Sequence, residues 1–365
     1  MMREDTMSTS GATPRPAGMP AIPFFDAGGG GPLRHAEQHP VRARALRDDC
    51  LRSLPGAAAP FLPALDSATR RWLARSGSPY VPEIAQIAAT LDFPGIWLLN
   101  GSYLWGCTAT ARDEDGAPWL ARTLDWPFRG LGRHADVVRV EAPAGDYFNV
   151  TWAGYAGVLT AMAPGRFGAC INQAPMWRRT RHHWLRAYDL AANAWHTFAN
   201  VGHIPPDQLL RRVFETCATF AEARAALERT PVARPVIYML IGCAAGERCV
   251  IERTEEGFTT REDDTNAAND WTPGRPMWEA RVSASHFLTR PADEAVARCR
   301  ARRDALADWR GLLSKGGFDW VAAPVLNPYT RLAVTMSPAR AILRVAAYEM
   351  TNGELPEQVA QFCEA

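Results

Sequence analysis

Arg122 and Asp125 are the only charged residues in PWLARTLDWPF, residues 118–128, and Cys107 opens the run CTATA just upstream. The polar stretch RDEDGA joins the two runs, so a hairpin there brings Arg122 and Asp125 back alongside the cysteine. A cation next to a cysteine favours the thiolate, which is the nucleophilic form. A cysteine between Gly and Thr at a strand start is ordinarily a small buried hydrophobe; the two isolated charges set this one apart. In an alternating strand Arg122 and Leu124 share one face, and Thr123 and Asp125 the other. A bend or strand end near Trp126-Pro127 is then needed for both charges to meet one site.

Other chemistries find little support. The chain has no GxSxG elbow, no HExxH, no phosphate-loop GxxxxGK[ST] and no GxGxxG after a strand. The glycines at 28–31 follow no expected strand and read as linker. His182 and His183 lie in RRTRHHW, a basic stretch that reads as exposed surface. His286, in SASHF, is the one histidine in a strand-like context and the one candidate for a Cys–His dyad. The eight cysteines are scattered, without CxxC pairs or zinc-type spacing, which suits buried free thiols in a reducing cytoplasm. No metal or organic cofactor is expected. With 365 residues, 47% hydrophobic, and a net charge of +1, the chain reads as one large or two smaller globular domains. Near-neutrality argues against nucleic acid or an anionic membrane as the main partner, and no apolar run is long enough to predict a transmembrane helix.

The positioning elements come next. Residues 1–40 read as a flexible Gly/Pro/Ser/Thr-rich tail without a secretory signal. Residues 41–91 read as helices. In PEIAQIAATL, Ile84, Ile87, Ala88 and Leu91 recur at helical spacing, with Pro82 in the first turn and Pro94 beyond the end. From Cys107 onward short strand-type runs take over: CTATA, PWLART, DVVRVEA, FNVTWAG, PVIYMLIGC and CVIER. Helices are expected around Asp207–Glu228 and Ala292–Trp309. A hairpin, RLAVTM–SPAR–AILRVA, then precedes a C-terminal tail. This order predicts an α+β fold of layered helices and mostly antiparallel strands.

These residues resemble the cysteine N-terminal nucleophile hydrolases of the acid ceramidase and N-acylethanolamine-hydrolysing acid amidase type, and more distantly the bile-salt and penicillin V acylases. The likeness is carried by Cys107-Thr108, the DEDG turn and Arg122-Thr123-Leu124-Asp125-Trp126. It extends to AGYAGVLTAMAPGRFGACINQ (153–173), the segment ending at Gly106, and PVLNPYTRLAVTM, and spans about residues 45 to 345. The resemblance implies an αββα four-layer sandwich and self-cleavage at Gly106–Cys107, with 41–106 as a helical leader or α-subunit and 107–365 as the catalytic β-subunit. A freed Cys107 would carry both nucleophile and base, because an α-amine titrates near about 7.7–8.0. The resemblance further implies that Asp125 holds that amine, Arg122 attends the thiol, and Asn172 and Asn269 serve the oxyanion. Asn266 and Ser285 compete with Asn269 for that last role. Gln173 stands where these relatives carry an acidic residue, and it joins Trp126 as a substrate-side candidate; Trp105 and Trp119 are further candidates for lining an acyl pocket. A late family arginine falls at Arg281 or among Arg298, Arg300, Arg302 and Arg303, residues whose own pattern reads as a solvated helix face.

The implied reaction is hydrolysis of a linear N-acyl amide, fatty-acid amides leading and aminoacyl or penicillin-type amides second. Acyl transfer through the same thioester, as in isopenicillin N acyltransferase, is one alternative. An uncleaved, inactive binding homologue is another.

Overall fold

A computed structural model describes residues 18–53, 60–102, 106–180, 182–200, 202–280, 292–351 and 353–364. Trp105, Arg281, Ser285, His286 and residues 1–17 of the expected tail lie outside the described residues. The chain opens with β1 (Phe24–Gly28), followed by α1 (Gly31–Gln38), α2 (Pro40–Arg52), α3 (Leu62–Leu73), α4 (Val81–Leu91) and α5 (Ile96–Gly101). Strands β2 (Gly106–Glu114), β3 (Ala117–Asp125), β4 (Asp136–Val140), β5 (Tyr147–Thr151), β6 (Thr160–Ala163), β7 (Phe167–Gln173) and β8 (Met176–Trp177) come next. Helices α6 (Arg186–Asn200), α7 (Pro206–Thr216) and α8 (Phe220–Arg229) precede β9 (Val236–Ile241), β10 (Arg248–Arg253), β11 (Phe258–Arg261), β12 (Asn266–Ala267) and β13 (Trp278–Glu279). The long helix α9 (Ala292–Asp308) leads to β14 (Thr330–Ser337), β15 (Ile342–Glu349) and β16 (Glu357–Glu364).

Two sheets carry the fold. One has the order β12-β2-β3-β14-β15-β16, the other β1-β4-β5-β6-β7-β9-β10-β11, and β8 pairs with β13 as a small clip. Pairing is antiparallel throughout both large sheets except for β1 with β4. The sheets stack face to face. Cys107, Ala109, Leu120 and Leu124 of the first pack in one apolar core with Ala161, Ile171, Tyr238 and Leu240 of the second. Each sheet is also covered outside. Trp119, Ala121 and Ala333 meet Leu306, Leu313 and Trp320, while α8 lies on β9 and β10. Burial on both faces explains why β3 and β9 show no polar alternation: every residue of both strands is buried. The result is the expected α+β sandwich with helices on both sides. Among the described residues no helix is long and apolar enough to cross a membrane.

Three expectations are corrected. Residues 24–38 are not tail: β1 joins β4, and the glycines at 28–31 follow that strand and lead into α1. The C-terminal segment is likewise no tail, since β16 forms the edge of the first sheet beside β15. Strands β6 and β7 and the helix α6 were not expected. The small residues of TAMA and FGACINQ, Gly168 above all, weaken a β-type pattern; a Cβ at Gly168 would stand 2.8 Å from Met336 Sδ of the facing sheet.

Helix α4 behaves as its spacing predicts, burying Ile84, Ile87 and Leu91 against Trp72, Trp97 and Ala153. The helices before Cys107 are also pinned electrostatically. The fully buried carboxylate of Asp136, on β4, receives Arg42 of α2 at 2.6 Å and meets His35 of α1 at 3.1 Å. Removing one partner of a buried ion pair strands the other. Asp136→Ala should therefore cost about 3 kcal/mol, read as a lower urea midpoint with an unchanged slope.

Candidate active site

Asp115 and Gly116 both take positive φ, 51° and 75°, which closes the two-residue hairpin turn between β2 and β3. That turn sets the register: Gly106 faces Asp125, Cys107 faces Leu124 and Ala109 faces Arg122. Cys107 and Arg122 consequently share the face turned toward the second sheet. Arg122 Nη2 lies 2.8 Å from Cys107 Sγ and donates to the Ile171 carbonyl at 2.9 Å, while Nη1 donates to Thr160 Oγ1 at 2.7 Å. The thiol itself contacts the Ile171 carbonyl at 3.3 Å. Complete burial pushes the Cys107 thiol up to about 12; Arg122 pulls against this and the Asp125 charge adds to it. In the intact chain the sulfur is a neutral thiol.

Asp125 occupies the opposite face, as strand alternation requires. No bend folds it back to Arg122. Its Oδ1 accepts from Thr330 Oγ1 at 3.0 Å, its Oδ2 accepts from Asn327 Nδ2 at 2.8 Å, and Arg302 Nη1 approaches at 3.4 Å. A register irregularity in β14 between Thr330 and Leu332 lies opposite Asp125 and Leu124 and brings Thr330 onto the carboxylate. The two charges thus address the surroundings of Cys107 from opposite sides of the sheet.

Asn269 joins them. Its Oδ1 accepts the Cys107 backbone N–H at 2.9 Å and a second bond from Arg302 Nη2 at 2.9 Å; its Nδ2 donates to the Gln173 carbonyl, also at 2.9 Å. Two donors on one side and a carbonyl on the other fix the amide orientation. Asn172 sits on β7 and donates Nδ2 to the carbonyls of Ala267 and Ala268 at 3.3 and 3.2 Å. Both side-chain NH2 groups thus donate to backbone carbonyls in this state, that of Asn172 to two and that of Asn269 to one. Asn266 accepts from Thr110 Oγ1 on β2 at 2.7 Å, so of the two late asparagines Asn269 is the one that touches Cys107.

Arg302 overturns the reading of a solvated helix face. It stands on α9 three residues after buried Cys299 and four before buried Leu306, on the stripe that packs against β2. Arg298, by contrast, is exposed and pairs with Glu294, and Arg303 reaches Asp270 at 3.5 Å. Helical spacing could have found Arg302, because it shares a face with the helix's few apolar residues. Asn327 and Thr330 carried no such signal; each reads as an ordinary turn or strand residue.

Trp126 is buried in the inter-sheet core edge-on to Trp152, and Trp119 lies in the cluster under the other face. The aromatic residues at a cleft are instead Trp271 and Trp278. They line a space of about 310 Å³ with Pro175, Asp270, Arg275 and Arg300, one residue along the chain from Asn269. Among the described residues no cluster of three or more His, Cys, Asp or Glu is arranged to hold a metal ion.

Arg302→Met removes a group that bonds both Asn269 and Asp125. Asp125 keeps its two neutral donors, so the loss should be about 1–3 kcal/mol, seen as a lower melting temperature with the circular dichroism spectrum of the folded state retained.

No family model matches the chain. The N-acylethanolamine-hydrolysing acid amidase of Oryctolagus cuniculus is 27% identical over 273 residues, covering 71% of this chain and 70% of that protein. The amidase of the same name from Mus musculus is 27% identical over 187 residues, covering 49% of this chain and 48% of its own length. Among solved structures, a Caenorhabditis elegans N-acylethanolamine-hydrolysing acid amidase ortholog aligns with a TM-score of 0.44 at 18% identity, covering 64% of this chain and 93% of that one. A mutant conjugated bile acid hydrolase from Clostridium perfringens aligns with a TM-score of 0.35 at 11% identity, covering 71% and 96%. The chain is thus similar in sequence to N-acylethanolamine-hydrolysing acid amidases over up to 71% of its length.

Proposed function

We propose that the chain is a precursor that cleaves itself between Gly106 and Cys107 and then hydrolyses linear N-acyl amides through a thioester on Cys107. The observation that carries this reading is the pair of contacts on one residue: Arg122 Nη2 on the sulfur at 2.8 Å and Asn269 Oδ1 on the nitrogen at 2.9 Å. A structural cysteine has no need of a buried guanidinium, since burying such a charge costs several kcal/mol. The names of the curated relatives point to the same bond class, an amide between an acyl group and an amine.

In the first reaction Cys107 Sγ attacks the Gly106 carbonyl carbon. The C–N bond to Cys107 breaks, and its nitrogen leaves as an amine carrying the thiol proton. Water then hydrolyses the Gly106 thioester and restores the thiol. The amide nitrogen of the intact chain has no basicity, whereas the freed α-amine titrates near about 7.7–8.0 and can take the thiol proton in each later turnover. The thiolate attacks the substrate's acyl carbon, the amine passes the proton to the departing nitrogen, and water cleaves the acyl-enzyme. On this reading Arg122 lowers the cost of the thiolate, and Asn269 with Asp125 and Arg302 orients the new amine. The side-chain NH2 groups of Asn172 and Asn269 become oxyanion donors if they exchange their carbonyl partners for the developing charge. Residues upstream of Cys107 remain as a separate chain held by the leader's packing.

Intact mass spectrometry of the purified protein should show a fragment beginning at Cys107, and Cys107→Ala should stay full length with no amidase activity. An unprocessed wild-type chain, or turnover in the alanine variant, would refute the assignment. Arg122→Met should lower kcat/KM by at least about a hundredfold, since a buried charged contact to the nucleophile supplies roughly 3 kcal/mol.

A further inference from the structure

Thr160 stands on β6 of the second sheet, opposite Cys170 on β7, and is 1% exposed. Arg122 reaches it from the first sheet, its Nη1 donating to Thr160 Oγ1 at 2.7 Å. The other terminal nitrogen, Nη2, lies 2.8 Å from Cys107 Sγ and 2.9 Å from the Ile171 carbonyl oxygen. Nε has no partner among the described residues. Thr160 thus supplies the one side-chain oxygen that this guanidinium meets among the described residues. Buried arginines elsewhere are answered more fully. Arg178 and Arg186 each pair with Glu279, and Arg253 donates to the carbonyls of Gly257, Leu227, Glu228 and Thr230. A carboxylate in the place of Thr160 would hold Arg122 and cancel most of its charge; a hydroxyl holds it and cancels little.

We propose that Thr160 is a positioning residue of the amidase site: its neutral hydroxyl fixes the Arg122 guanidinium on the Cys107 sulfur and leaves the positive charge to act on the thiolate. The inference rests on the reading of Cys107 as the nucleophile; the contact between Thr160 and Arg122 is independent of it.

The shape of the group transmits the hold. A guanidinium is a rigid planar fork, so anchoring Nη1 also fixes where Nη2 lies. Without the hydroxyl, Nη2 keeps the Ile171 carbonyl, and the fork is left to pivot about that oxygen and away from the sulfur. The two anchors are themselves set by strand pairing. Thr160 and Ile171 sit on adjacent paired strands, joined by the bond from the Ile171 amide to the Leu159 carbonyl at 3.0 Å. The charged and titratable groups facing the sulfur are Arg122 and Asp125 of β3, Cys170 of β7 and Arg302 of α9. Burial holds the thiol in its neutral form, and of these groups Arg122 opposes burial most strongly. Position 160 therefore governs the chief influence that favours the thiolate.

The test uses the full-length chain and follows alkylation of Cys107 by iodoacetamide, located by mass spectrometry, beside kcat/KM for N-dodecanoylethanolamine. Thr160→Val keeps the shape of threonine and deletes the hydroxyl; both rates should fall at least about tenfold, the worth of one charge-assisted hydrogen bond. Thr160→Ser keeps the hydroxyl and should stay within about twofold of the wild type. Thr160→Asp gives Arg122 a full partner, yet it should slow both reactions at least as much as valine because it cancels the charge. A merely structural role predicts the reverse, with aspartate holding Arg122 well and reacting like the wild type. Unchanged rates in the valine variant, a serine variant as slow as the valine one, or an aspartate variant as reactive as the wild type would overturn the proposal. Where the valine chain does not fold, the serine and aspartate chains decide alone. Alkylation needs no turnover, so the two readings fail separately. The expected order of alkylation in a chain that cleaves no amide keeps the Thr160 assignment and removes the hydrolase reading; turnover without that order does the reverse.

Discussion

A fully buried guanidinium with no carboxylate paired to it among the described residues is the constraint around which this molecule is arranged. Arg122 projects from one sheet into the space between the two, and the hydrogen-bond partners that the structure gives it are a thiol sulfur, a threonine hydroxyl and a backbone carbonyl. Thr160 and Ile171 come from β6 and β7 of the facing sheet, Cys107 from β2 of its own. The two terminal nitrogens of the guanidinium therefore keep these partners only while the two sheets keep their stacking and β2 keeps its register. A one-residue slip of the hairpin would turn Cys107 to the outer face and leave the charge stranded in the core. The Asp115-Gly116 turn, with both residues at positive φ, is what forbids that slip.

The same geometry shows why the hairpin was legible in the sequence and much of its surroundings was not. An Asp-Gly turn between two β-type runs is a local signal, so the residues on either side of it already place Cys107, Arg122 and Asp125 together. The helix α4 was legible for the equally local reason that its apolar residues recur at helical spacing. Strands β6 and β7 lack such a pattern because close sheet stacking demands small residues there, and Gly168 and Ala169 dilute the strand propensity that stacking makes unnecessary. Strand β1 draws its stability from β4, Phe25 pairing with Val138, and no local window of sequence contains both sides. At the other edge β16 is the polar run EQVAQFCE, and only its pairing with β15, Phe362 opposite Val345, makes a strand of it. Arg302 was misread for a different cause. A helix rich in arginine and aspartate looks solvated unless its few apolar positions are used to fix which side faces in.

The helices before Cys107 are integral rather than appended. β1 extends the second sheet, α1 and α2 hold the Asp136 carboxylate, and α4 and α5 share a core with Ala153 and Ala156 beyond the junction. Asn100, near the end of that region, donates to the Gly154 carbonyl and accepts from the Ala156 amide. Noncovalent contacts of this extent hold segments together whether or not the peptide bond between them persists. Cutting the chain at Gly106 on the proposed reading would thus change the chemistry at one nitrogen without releasing the layer that shields it.

Glycine at the junction has its own physical reason. A Cβ at position 106 would stand 3.3 Å from the Asp125 Cβ and 3.5 Å from Asn269 Oδ1, tighter than ordinary packing on the first contact. The backbone just before Cys107 thus runs directly against the two groups that flank the Cys107 nitrogen, with only hydrogen where a side chain would be. In the intact chain that nitrogen has one proton to give, and Asn269 Oδ1 takes it while also receiving Arg302. A free amine in the same place would have a lone pair or further protons, and the neighbours able to answer them are the same oxygen and the Asp125 carboxylate behind it. The oxygens around that nitrogen thus take its one proton in the intact chain and have acceptor capacity for more, which is what the proposed self-cleavage would require of them.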